Sequence, residues 1–327
     1  PSNHGIIATD LRGVNSLSDS KVSGFGAGLG NTTSENGFEI VNNNVNMTSL
    51  TVTNTTFSNA GGANDGIFME AQGTSNMALS VINSNFSQFY GDAIQVNGTA
   101  GSNGSVRLIV KDSDFTSAVS SGNGGISMNP WGNINFFADI NNNVFSGILN
   151  NVTTIGAIGM TNGMTADADV TIRNNDLDNI IGGRGITVTA DGGTTDLLID
   201  QNTIDGLGSG SKSAINISYT NNTGAGLGTV GTGNVTVSGN SIGQNGSPLW
   251  TGGDGSANAV LLQAMNGASM TALIQTNMVD ANATLEVVRV SAASTVGNPG
   301  GTINATVTGN NIQDTSGTHV EFDATAG

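Results

Sequence analysis

The chain repeats itself. Ten apolar residues (Val22, Phe57, Phe86, Phe115, Phe145, Leu177, Ile204, Ile242, Val279 and Ile312) stand 27 to 38 residues apart, and the residues before each follow one pattern. Five positions earlier come Leu17, Val52, Val81, Val110, Ile140, Ile172, Ile199, Val237, Ile274 and Val307, all aliphatic. Seven positions earlier, from the second copy onward, come Leu50, Leu79, Leu108, Ala138, Val170, Leu197, Val235, Ala272 and Ala305. Apolar residues two apart mark the inward face of a strand. A unit of about 30 residues cannot bury that face alone, so copies in sequence must stack on one another.

After each anchor comes a variable stretch rich in Gly, Asn and Ser, then a second short strand. Its inward pairs are Ile67/Met69, Ile94/Val96, Ile126/Met128, Ile186/Val188 and Ile215/Ile217. Each copy therefore supplies at least two strands joined by turns, with no useful run of helical period. A propeller needs four strands per blade and longer repeats. Only 10% of residues are charged, but 36% are hydrophobic and fall in regular short runs, which argues for a packed chain over a disordered one.

Two columns sharpen the register. Two residues before the anchor stand Asn143, Asn175, Asn202, Asn240, Asn277 and Asn310, preceded in earlier copies by Ser20, Thr55, Ser84 and Ser113. Stacking brings such residues about 4.8 Å apart. An amide has both donor and acceptor, so a column of Asn can bond to itself, and Asn also tolerates the left-handed backbone of a sharp corner. Phe57, Phe86, Phe115 and Phe145 form the second column, an aromatic stack in the core.

The aliphatic-x-aliphatic strand, the Asn corner and the Gly-Ile second strand resemble the right-handed parallel β-helix of the pectin-lyase-like superfamily. Residues 50–59 and 235–242 are also similar to repeats of large bacterial surface proteins and autotransporter passengers. The resemblance covers nearly the whole chain. It implies a fold that hosts many tasks, among them lyases and hydrolases acting on acidic polysaccharides. A lyase of that kind implies a positioned base beside acidic calcium ligands. The hydrolase pattern of clustered Asp with Gly-His-Gly and a basic triplet is not present.

Charge limits the choice further. Eight basic residues face 24 acidic ones, for a net charge of −16. Phosphate backbones need Lys and Arg, so nucleic acid is not an expected partner. No apolar run is long enough to span a bilayer, and no membrane insertion is expected. His4 and His319 fall at opposite ends of the stack. Arg173 and Asp200 share a repeat position in adjacent copies, which predicts a coil-to-coil ion pair, whereas Lys111 at that position has no acidic neighbour in view. Acidic pairs at Asp112/Asp114, Asp167/Asp169 and Asp176/Asp178 flank single residues, as outward strand positions do. Asp178 and Asp205, each following an anchor, should stack one coil apart and repel, which makes them the candidate metal ligands, with calcium the hard cation that would relieve them. Trp131, and Trp250 in the long 244–258 segment, are candidate sugar platforms or covers of the rod; the 24–36 segment is the other long connection.

These observations predict an all-β chain: a right-handed parallel β-helix, or β-solenoid, of about ten coils of roughly 30 residues, with residues 1–327 a single domain without capping elements of its own. The functional expectation is an extracellular or cell-surface structural or adhesive rod. It would be part of a larger surface protein or assemble head to tail, so its partners would be neighbouring coils or further copies. A polysaccharide-active enzyme on the same fold is the alternative.

Overall fold

The computed structural model describes residues 4–26, 35–58, 65–116, 124–148, 156–180, 183–207, 213–221, 229–243, 258–280, 287–293, 299–313 and 319–325. Every regular element among them is a β-strand, and all the strands pair in parallel into three sheets. The first sheet has eleven strands, from Ile6–Thr9 to Val320–Thr325. The second has ten, from Val14–Ser18 to Thr302–Thr308, and the third has ten short ones, from Lys21–Ser23 to Asn311–Gln313. In each sheet a strand pairs with its counterparts one coil before and one coil after, in chain order. The fold is a parallel β-solenoid.

The aliphatic column fixes the register of the second sheet. Leu17, Val52, Val81, Val110, Ile140, Ile172, Ile199, Val237, Ile274 and Val307 are successive partners across all nine pairings. A slip of one residue would turn each of these side chains out to water. The inward pairs of the first sheet are buried as their alternation requires, and Phe57, Phe86, Phe115 and Phe145 stack with centroids 5.0, 5.0 and 4.6 Å apart and rings within 7° of parallel. Strand spacing sets that separation, and each such contact adds about 0.5–1.5 kcal/mol beyond the area buried.

Each coil has three strands because the backbone turns sharply between the aliphatic column and the anchor. The residue three before the anchor is left-handed in all ten coils: Asp19, Asn54, Asn83, Asp112, Asn142, Asn174, Gln201, Gly239, Thr276 and Gly309, with φ between 49 and 63°. This corrects the expectation that the Asn column itself occupies the left-handed corner. The preceding residue makes the bend, and the column Asn follows it with its amide buried.

There the side chains bond as a continuous ladder. Asn143, Asn175, Asn202, Asn240 and Asn277 each send both the backbone N–H and Nδ2 to Oδ1 of the next Asn, at 2.9–3.0 Å. Nδ2 also donates to a carbonyl one coil back, as from Asn202 to Ile172 at 2.9 Å. In the earlier coils a hydroxyl replaces the amide: the Ser84 N–H donates to Ser113 Oγ, and the Ser113 N–H to Asn143 Oδ1. A hydroxyl accepts the backbone N–H but is too short to supply all of the amide's bonds.

Two substitutions test this corner. Asn202→Ala leaves two donors of Asn175 without their acceptor and removes the amide bond to the Ile172 carbonyl, and should lower stability by on the order of 3 kcal/mol in guanidinium unfolding. Asn202→Ser, which keeps the backbone acceptor, should cost distinctly less; equal losses would contradict the ladder. Thr276 is the one β-branched residue among the left-handed corners. Thr276→Asn, matching the corners at Asn54 and Asn142, should raise stability by about 1 kcal/mol, and an unchanged or lower unfolding midpoint would contradict the strain.

Candidate functional site

Among the described residues, two carboxyls are buried side by side where strands enter the first sheet. Asp65 and Asp92 immediately precede Gly66 and Ala93 in consecutive coils, and only 1% and 4% of their surfaces are exposed. They continue a hydrogen-bonded column: the Asp65 N–H donates to Asn36 Oδ1 at 3.1 Å, and the Asp92 N–H donates to Asp65 Oδ1 at 2.8 Å. The column needs an acceptor at each step, and a carboxylate supplies it at the cost of a buried charge. Burial pushes the Asp65 carboxyl up to about 7, against the pull of the Asp92 backbone N–H. Burial also raises Asp92 well above the usual carboxylate range, with repulsion from Asp65 adding to it and the Ser127 hydroxyl opposing. The pair can therefore take up protons as the pH falls through neutrality. Aligning Asn36-Gly37, Asp65-Gly66 and Asp92-Ala93 in the sequence would have exposed this column, but the apolar pattern that defines the repeat passes over it.

The residues singled out from the sequence fall as follows. Asp178 and Asp205 do lie one coil apart, Asp178 exposed and Asp205 nearly buried. Asp178 Oδ1 leans over Gly206, where an added Cβ would approach it to 2.6 Å, and the left-handed φ of 60° also favours glycine there. Two carboxylates supply a minority of the six to eight oxygens that calcium takes. Among the described residues no group of three or more His, Cys, Asp or Glu is placed to hold a metal ion. Asp114, Asp167, Asp169, Asp176 and Asp178 are exposed. Asp112 is a left-handed corner residue that accepts a bond from Asn142 Nδ2 at 2.6 Å. His4 stays beside Asn36 and Glu39, and His319 is exposed before the last strand, so the two never meet. Trp131 lies against Gly163, where an added Cβ would come within 3.0 Å of the indole. Trp250, with residues 27–34 of the first long connection and 244–257 of the second, lies outside the described residues.

The basic residues pair differently from the sequence expectation. Arg173 does align with Asp200, but its guanidinium reaches Asp139 at 3.5 Å, and Asp200 instead accepts from the Ser238 hydroxyl at 2.6 Å. Lys111 reaches the same Asp139 from the other side, at 3.1 Å. Asp139 thus bridges cations from the coils before and after it. Both contacts are diagonal, since the residue in register with Lys111 and Arg173 is Asn141. Long side chains span that diagonal easily.

The outer face of the second sheet carries a groove of about 560 Å³ crossing four coils, lined in part by Arg107, Phe137, Asp167, Asp169 and Asp196. Arg107 lies 4.9 Å from the Phe137 ring centroid. No helix among the described residues is long and apolar enough to cross a membrane. Comparisons with protein-family models, with curated proteins and with solved structures return no match.

The buried acids make stability depend on pH. A raised carboxyl pKa means the folded state holds a proton that the unfolded chain releases, so the associated stability is complete below about 3.8 and lost as pH rises toward 7. The melting temperature should therefore rise on acidification from pH 8 to pH 5. Asp65→Asn/Asp92→Asn should melt higher than the parent at pH 8 and show a much flatter profile across that range. An unchanged profile in the double variant would contradict the assignment.

Proposed function

We propose that this chain is a structural rod, extracellular or at a cell surface, that spaces or displays and whose neighbours are further coils of a longer chain or other copies. The observation that carries the reading is the unbroken register of side-chain columns through the coils. The aliphatic column of the second sheet and the Asn ladder at its corner repeat without interruption over successive strands. Such a stack resists bending, because tilting one coil against the next would break backbone and side-chain hydrogen bonds together.

The polar, lightly charged surface and the absence of cysteine fit a bacterial extracellular setting, and the likeness of residues 50–59 to bacterial surface repeats supports it. Among members of the pectin-lyase-like superfamily the same architecture also supports catalysis, so the test must address both. Electron microscopy at physiological salt should reveal straight rods of constant width, each copy adding about 50 Å from eleven strands at ~4.8 Å. The same preparation, incubated with acidic and neutral polysaccharides, should release no new reducing or unsaturated ends. Depolymerisation of any of them, or particles with no rod axis, would overturn the reading.

A further inference from the structure

We propose that the two coils beginning at Asp65 and Asp92 form a pH-operated joint in the rod, closed in acid and opening locally as the solution turns neutral. Two independent observations fall on the same coils. The first is the buried pair itself. Asp65 and Asp92 stand one coil apart, about 4.8 Å along the stack, and are 1% and 4% exposed. Two carboxylates so close and so dry repel each other and are poorly solvated. Opening the entry to the first sheet there breaks the Asp92 N–H bond to Asp65 Oδ1, at 2.8 Å, and the Gly66 N–H bond to the Asp92 carbonyl, at 3.0 Å. It also returns both carboxyls to water.

The second observation lies across the coil, at the corner before the third sheet. These two coils, residues 65–87 and 92–116, turn on Ser84 and Ser113 and not on Asn. Ser84 gives its backbone N–H to Ser113 Oγ at 3.1 Å, and its hydroxyl turns back to Ile82 of the same coil at 3.0 Å. Ser113 gives its N–H to Asn143 Oδ1 at 3.0 Å, and its hydroxyl goes to Lys111, again within the coil, at 2.8 Å. Each serine thus gives one bond to a neighbouring coil. Asn175, in the amide ladder, gives three. The coils that bury the acid pair are therefore among those least tied to their neighbours at the corner, and local opening starts where coils are least tied.

The groups around the pair set the direction. At the first step of the column Asn36 donates from Nδ2 to Glu39 at 2.9 Å and from its N–H to His4 Nδ1 at 3.0 Å, with Glu35 buried next to it in the chain. Ser127 bonds Asp92 from the following coil, Tyr90 stands two residues before Asp92, and Phe86 packs against Gly66. None of these is Lys or Arg, and residues 59–64 and 117–123 contain no ionisable side chain. The closed coils hold protons that hydrated carboxyls release near 3.8. Opening is therefore suppressed in acid. From 3.8 upward its equilibrium constant rises by roughly tenfold per pH unit for each proton released, up to about 7 for Asp65 and beyond for Asp92.

Hydrogen exchange of the full chain, read by mass spectrometry from pH 5 to pH 7 and corrected for the intrinsic pH dependence of exchange, tests this. Peptides spanning residues 65–98 should show an opening constant that rises by roughly tenfold or more per pH unit. Peptides spanning residues 167–200, within the Asn ladder, should show no such rise. Asp65→Asn/Asp92→Asn should abolish the rise at 65–98. Ser84→Asn/Ser113→Asn extends the amide ladder and keeps both carboxyls; it should slow exchange of 65–98 at pH 7 severalfold and leave the pH slope intact. Equal slopes in the two segments would mean that the carboxyls act on the whole rod, and would overturn the joint. So would a flat profile at 65–98, a slope that survives in the Asp65/Asp92 variant, or unchanged exchange at pH 7 in the Ser84/Ser113 variant.

Discussion

A primary amide holds a donor and an acceptor on one planar group, and the corner of this solenoid uses both. Asn143, Asn175, Asn202, Asn240 and Asn277 each give two bonds forward to the next Asn oxygen, one from the backbone N–H and one from Nδ2, and one from Nδ2 back to a carbonyl of the preceding coil, so three successive coils are tied through one residue. The corner is where a solenoid is weakest, since the chain leaves one sheet for another and its backbone groups lose their ladder partners. The amide replaces those partners at a fixed distance. The sheets on either side inherit their register from it as much as from the apolar columns.

With the corner fixed, the remaining terms align behind it. Aliphatic and aromatic columns fill the interior at the strand repeat, and the Phe57–Phe145 stack exists because that repeat matches the separation of stacked rings. Charges stay sparse. Among the described residues, Lys111 and Arg173 reach Asp139, Arg107 lies against Phe137, and Arg289 reaches Glu321 and Asp323, all along the stack. Part-exposed pairs of this kind contribute little individually, about 0–1 kcal/mol. The buried Asp65 and Asp92 oppose the trend, since they fill an acceptor position in a column while carrying a charge that burial disfavours.

The interior was legible in the sequence because a two-residue period and a fixed repeat are both carried by residue type. Ile140, Ile172 and Ile199 align by eye and pair in the structure. The Asn column was legible for the same reason. The left-handed corner was not, because Asp, Asn, Gln, Thr and Gly all serve there and the conformation is common to them only in the backbone. The Arg173 and Lys111 partners were misread because comparison within one column misses diagonal neighbours, and Asp139 lies two residues from the in-register position. Asp65 and Asp92 escaped because they stand just outside the apolar pattern, next to small residues that carry no periodic signal.

The central claim is that side-chain amides lock the coils together at the corner. Hydrogen exchange of the backbone amides of Asn143, Asn175, Asn202, Asn240 and Asn277 tests it most directly, because their acceptor is a side-chain oxygen and not a strand carbonyl. A locked corner predicts exchange as slow as that of neighbouring second-sheet amides such as Ile172 and Ile199, since both open only when coils separate. Exchange at these five Asn amides orders of magnitude faster than in the adjoining strands would mean that the corner opens independently, and would contradict the account.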